Sequence, residues 1–124
     1  MADVLIIDDE RQMRRLMSRI LKAAGHTVHE ATNGREGIDR FRQLRPALVI
    51  TDIVMPDMEG IETIRALRLE GPTVPIIAIS GGSGPNYLRA ATELGATASL
   101  EKPFAADELL LVVAELLGAA KPRS

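Results

Sequence analysis

A chain of 124 residues is sized for one domain with a substantial core, and 46% apolar with 26% charged residues excludes disorder. A net charge of -2 argues against an electrostatic nucleic-acid binder, and the absence of cysteine excludes disulfides and thiolate metal sites. The longest apolar run, LLLVVA from Leu109, falls far short of the roughly 20 residues that span a bilayer, and the acidic start is no secretory signal, so a cytoplasmic protein is expected.

In chain order, the run DVLII at 3–7 predicts a first strand. Met13, Leu16, Met17, Ile20, Leu21 and Ala24 then recur at helical spacing, and Gly25 suits the stop. TVHE at 27–30 alternates as an edge strand would. Asn33-Gly34 opens a helix over 34–44, and Arg45-Pro46 marks the connection that follows it. ALVIT at 47–51 predicts the third strand, with a helix over 59–70 running up to Gly71-Pro72. PIIAIS at 75–80 is the fourth strand and is followed by a helix over 85–94; TASLE at 97–101 is the fifth, and beyond Pro103 a helix covers 105–118. Residues 1–119 are expected to form the domain, with 120–124 as a frayed tail. Strand and helix alternate five times, which predicts a (βα)5 doubly wound parallel sheet with the flavodoxin-like order 2-1-3-4-5.

The polar residues cluster where the apolar runs end: Asp8 and Asp9 after the first, Asp52 after the third, Ser80 after the fourth and Lys102 after the fifth. A parallel sheet places all of these strand ends on one edge, and open α/β sheets bind ligands there, where the strand order reverses. Strands 1 and 3 are neighbours at that reversal, so Asp8 and Asp9 meet Asp52. Carboxylates at about 4 Å repel by about 4 kcal/mol per pair at an effective dielectric near 20. A hard divalent cation with oxygen ligands, Mg2+ above all, relieves this and accepts a phosphoryl oxygen as a further ligand.

Asp52 lies in TDIVMPDMEG. A carboxylate attacks phosphorus to give an aspartyl phosphate if the developing charge is stabilised. Mg2+, the Lys102 ammonium and the Ser80 hydroxyl each match one phosphoryl oxygen. Of fifteen basic residues only three are lysine, yet a lysine stands at this strand end, where a compact point charge suits a single oxygen.

LIIDDE, TDIVMPDMEG, IIAIS and LEKPF, in this order and spacing, resemble the receiver domains of two-component response regulators, over Ala2 to about Leu117. The resemblance implies that Asp52 accepts a phosphoryl group from a phosphohistidine on a histidine kinase or phosphotransfer protein. It implies that Asp9 and the Val54 carbonyl ligate Mg2+, with Asp8 acting mostly through water. It also implies that Ser80 and Lys102 contact the phosphoryl group, and that Lys102–Pro103 is a cis peptide. The chain departs from the family pattern at Ser99, where an aromatic switch residue is usual, and at Val54, where many relatives are polar. Tyr87 is a candidate substitute for that aromatic.

Three function classes follow: a phosphoacceptor switch, a phosphorylation-independent interaction module on the same fold, and an aspartyl-nucleophile phosphohydrolase. The last usually needs a second acid two residues after the nucleophile, where Val54 stands. Asp57 and Glu59 read as capping and solvating residues, and His26 and His29 as structural or exposed. The glycines after Ser80 lack the Gly-Lys-Ser/Thr of a nucleotide loop. Arg11, Arg14, Arg15 and Arg19 line the polar side of helix 1, either as a solvated face or as a docking surface for an acidic partner. In the last helix, Leu109, Val112, Val113 and Leu116 form the core stripe. Leu110, Leu111, Ala114 and Leu117 are left for a partner or homodimer patch on the helix 4, strand 5 and helix 5 face.

Overall fold

The aliphatic runs pair side by side in a computed structural model that describes residues 2–53, 59–81 and 85–120. The strands are β1 Asp3–Ile7, β2 Thr27–Ala31, β3 Leu48–Asp52, β4 Ile76–Ser80 and β5 Ala98–Glu101, all parallel in the order β2-β1-β3-β4-β5. The helices are α1 Arg11–Ala23, α2 Gly34–Leu44, α3 Glu59–Glu70, α4 Pro85–Leu94 and α5 Ala106–Ala120. The expected strand order is the observed one, and α2, α3 and α4 have the expected bounds. The last helix runs over Ala106–Ala120, beyond the expected helix end at 118.

The central strands are apolar at every position because both sheet faces are covered. Val4, Ile6, Leu48, Ile50, Ile77 and Ile79 point to one side, where Met17 and Leu21 of α1 and Leu109 and Val113 of α5 complete the cluster. Leu5, Ile7, Val49, Ile76 and Ala78 point to the other, against Phe41 of α2, Ile64 and Leu67 of α3 and Ala91 of α4. Each of the larger side chains buried in this way contributes on the order of 1.5–3 kcal/mol. Together the two layers hold the strand ends at fixed positions.

Local signals set the helix bounds. At the end of α1 the His26 N–H donates to the Leu21 carbonyl and the Gly25 N–H to that of Lys22, a Schellman closure with Gly25 at φ 95°. The Asn33 side chain caps α2 by accepting from the Glu36 N–H. Beyond α3, the Arg68 guanidinium donates to the carbonyls of Gly71, Pro72 and Val74 and, across the connection, to that of Gly95 after α4. Among the described residues no helix is long and apolar enough to cross a membrane.

Gly60, in the first turn of α3, lies flat against the end of β3: a Cβ there would meet the Asp52 carbonyl and the Ile53 backbone. Gly118 of α5 has open space at the same point. Gly60→Ala is therefore expected to lower unfolding stability by about 1–3 kcal/mol, whereas Gly118→Ala raises it by about 0.5–1 kcal/mol; urea unfolding of the two variants checks the contrast.

Candidate functional site

Sheet topology alone brings the acidic residues together. β1 lies between β2 and β3, so the chain reverses direction across the sheet at the β1–β3 boundary, and both C-terminal ends open onto the same edge. Carboxylate oxygens of Asp8, Asp9 and Asp52 lie within 4.8 Å of one another there. Asp8 and Asp52 are buried, and Asp9 is exposed. At that separation each pair of charges repels by about 3–4 kcal/mol at an effective dielectric near 20.

Among the described residues, one cation answers this repulsion from the protein side. Lys102, just past β5, places Nζ 3.2 Å from Asp52 Oδ2 and 3.7 Å from Asp8 Oδ2. Its backbone N–H donates to the Ser80 carbonyl at 2.7 Å, tying the β5 end to the β4 end. The following Lys102–Pro103 bond is cis, as the resemblance implied. Burial alone would lower the Lys102 pKa; Asp8 and then Asp52 outweigh it and leave the ammonium raised.

Ser80 ends β4 almost fully buried, and its hydroxyl has no hydrogen-bond partner among the described residues. Asp8 Oδ2 is likewise buried without a hydrogen bond, although Lys102 is near enough to form an ion pair. A buried oxygen aimed into a cluster of carboxylates suits an oxygen-coordinated divalent cation, and the donor set is all oxygen. The residues present therefore fit such an ion.

Of the residues named from sequence, Asp8, Asp9, Asp52 and Lys102 converge, and Ser80 is bonded through its backbone to the same lysine. Val54 and Asp57 lie outside the described residues, as do the side chains of Glu59 and Tyr87. Ser99 is described and exposed; it is in register with Ala78, which places it on the α2–α3–α4 side of the edge strand. His29 Nε2 is 3.7 Å from Asp3 Oδ1, and His26 is partly buried, which lowers its pKa.

Three side chains depart from the expected pattern. Arg14 leaves the polar face of α1: it stands three and four residues before buried Met17 and Ser18, so its long side chain runs inward to the strand ends. Leu110 and Leu117 of α5 also pack against the core cluster, because α5 shares it with Leu100 and Phe104 of the β5 region and buries a wider stripe. The apolar residue left on the outer face is Leu111, 61% exposed, beside exposed Ala114. Gly81 was also missed: a Cβ there would lie 3.1 Å from Lys102 Cδ, so a hydrogen at this position leaves the lysine its path.

A family model described as the response regulator receiver domain matches residues 4–114. The response regulator MprA of Mycolicibacterium vanbaalenii is 35% identical over 119 residues, covering 96% of this chain and 52% of that protein. The chain thus spans about half the length of the curated relatives it matches. Among solved structures, the chemotaxis response regulator CheY4 of Vibrio cholerae superposes with a TM-score of 0.86 at 32% identity, covering 94% of this chain and 98% of that one. The receiver domain of NtrX from Brucella abortus gives 0.90 at 30%, with the same coverage.

Burial raises the Asp8 carboxyl from 3.8 to about 6, against the opposing pull of the Glu10 N–H and Lys102. A raised carboxyl pKa means that the folded chain keeps a proton that the unfolded chain releases. The resulting stabilisation is present below pH 3.8 and is lost as pH rises to about 6. In chelator, the stability of Asp8→Asn relative to the native chain should therefore rise between pH 4 and 6 and stay level above; urea unfolding across that range checks it, and a flat difference would count against it.

Proposed function

The chain belongs to the response regulator receiver domain family, and from that premise we propose that it is a phosphorylation switch whose phosphoacceptor is Asp52. Receiver domains of response regulators are signalling domains that work with histidine kinases. The proposed donor is a phosphohistidine on such a kinase or on a histidine phosphotransfer protein. The proposed setting is the cytoplasm, with residues 1–119 as the receiver unit. The observation that carries the reading is the convergence of three carboxylates and one ammonium at the β1–β3 edge, with Lys102 Nζ 3.2 Å from Asp52 Oδ2.

In the transfer, an Asp52 carboxylate oxygen forms a bond to phosphorus as the phosphorus–nitrogen bond of the donor breaks, and the imidazole keeps that electron pair. Lys102 already touches the attacking carboxylate, and its flexible stem lets the ammonium follow charge onto a phosphoryl oxygen. The Ser80 hydroxyl has its donor free for another, among the described residues. Asp9 and Asp52, with Asp8 and the Val54 carbonyl, are the proposed Mg2+ ligands. Bound there, Mg2+ would neutralise the carboxylates and one phosphoryl oxygen. The domain's catalysis is thus confined to its own phosphorylation and dephosphorylation.

Output is assigned to the α4–β5–α5 face. Ser99 lacks the ring that would turn inward on phosphorylation, so the change reaches partners through α4, α5 and the segment after Ser80. Exposed Leu111 is the apolar anchor of that surface, for a downstream protein or a second copy.

Incubation with acetyl phosphate and Mg2+ should give a labile phosphoryl adduct by mass spectrometry, absent in Asp52→Ala and formed about 10²-fold more slowly in Lys102→Ala. An adduct that survives Asp52→Ala, or none on the native chain, overturns the reading; the second result favours a phosphorylation-independent module. Leu111→Glu should leave adduct formation unchanged while weakening self-association or target binding in sedimentation and pull-down measurements; unchanged association of both kinds counts against the surface.

A further inference from the structure

Arg14 is set apart from its neighbours on α1. Arg11, Arg15 and Arg19 are exposed, whereas the Arg14 side chain is only 13% exposed and reaches the site edge. Its Nη1 donates to the Asp8 carbonyl at 2.9 Å, and its Nε donates to Glu30 Oε1 of β2 at 2.9 Å. The same short segment is gripped elsewhere too: the Asp8 N–H donates to the Ala31 carbonyl, and Asp8 Oδ1 accepts from the Glu10 N–H.

These bonds matter for Asp9 because of peptide planarity. The Asp8 carbonyl and the Asp9 nitrogen belong to one rigid plane, so fixing that carbonyl fixes the direction in which Asp9 leaves the strand. Asp9 is exposed, and among the described residues its carboxylate makes no hydrogen bond of its own. Its place in the carboxylate group is therefore set through the backbone, and the side-chain donor holding that peptide is Arg14.

We propose that Arg14 is a positioning residue for the divalent-cation site, orienting the Asp8–Asp9 peptide so that the Asp9 carboxylate joins Asp8 and Asp52, with Glu30 orienting the guanidinium. The proposal rests on the Mg2+-binding receiver reading given above. A simple charge effect has the opposite sign, since removing a nearby cation would tighten binding of another.

The test is Mg2+ titration by calorimetry on the native chain, Arg14→Ala, Arg14→Lys and Glu30→Ala, well below the thermal midpoint of each. Arg14→Ala should weaken Mg2+ binding about tenfold, the low end for a residue that orients a ligand without touching the metal. Arg14→Lys, which cannot span carbonyl and carboxylate together, should recover only part of this. Glu30→Ala, which removes the partner of Arg14 Nε but leaves the donor to the Asp8 carbonyl, should show a smaller weakening in the same direction. In metal-free protein, hydrogen exchange at the Asp8 and Glu10 amides, both bonded in the native chain, should quicken in both alanine variants, while exchange in β3 and β4 stays as in the native chain. Unchanged or tighter Mg2+ binding in Arg14→Ala and Glu30→Ala overturns the inference; failure of the native chain to bind Mg2+ overturns the receiver reading itself.

Discussion

Like charge forced onto one sheet edge is the constraint from which the rest follows. Asp8, Asp9 and Asp52 meet within 4.8 Å because parallel strands share a C-terminal edge. Left alone, such a cluster would push its strand ends apart. Lys102 prevents this from the far side of the sheet, bridging two of the carboxylates with one ammonium and binding β4 through its own backbone. The site is thus held by a charge balance that a divalent ion could enter and rearrange.

The precision of that balance comes from apolar packing. The strands that carry Asp8, Asp52 and Ser80 are buried at every position from Val4 to Ile7, Leu48 to Thr51 and Ile76 to Ile79. Side chains gripped on two faces leave the strand little freedom, so polar atoms at its tip are placed by the core rather than by one another. Gly60 shows the closeness of this fit, since the first turn of α3 lies against the Asp52 carbonyl with no room for a methyl group. Chemistry and stability occupy adjoining residues of the same segments.

Much of this was legible in the sequence, for identifiable reasons. Strands buried on both faces read as unbroken aliphatic runs, and Gly25, Asn33 and the Arg45-Pro46 and Gly71-Pro72 pairs punctuate the helices between them. The candidate site was readable because its members all stand at the ends of such runs. Arg14 escapes the rule that charge marks the polar face, because its spacing to Met17, Ser18 and Leu21 puts it on the buried stripe. Leu110 and Leu117 depart in the reverse sense: α5 packs a stripe that includes 109, 110, 113, 116 and 117, wider than one row of knobs. Gly81 carried no signal of its own, because its role depends on the path of a lysine twenty-one positions later.

The Arg68 guanidinium grips four carbonyls at 2.6 to 3.0 Å, three around the entry to β4 and one at Gly95. Those bonds fasten the trailing end of α4 to the floor of the fold, on the side away from Asp52. A rod pinned at one tip can only swing, and its travel grows with distance from the pin. Any displacement of α4 would therefore be greatest near Pro85, the tip that follows Ser80, so a small push at that end of β4 would act on the long arm of a lever.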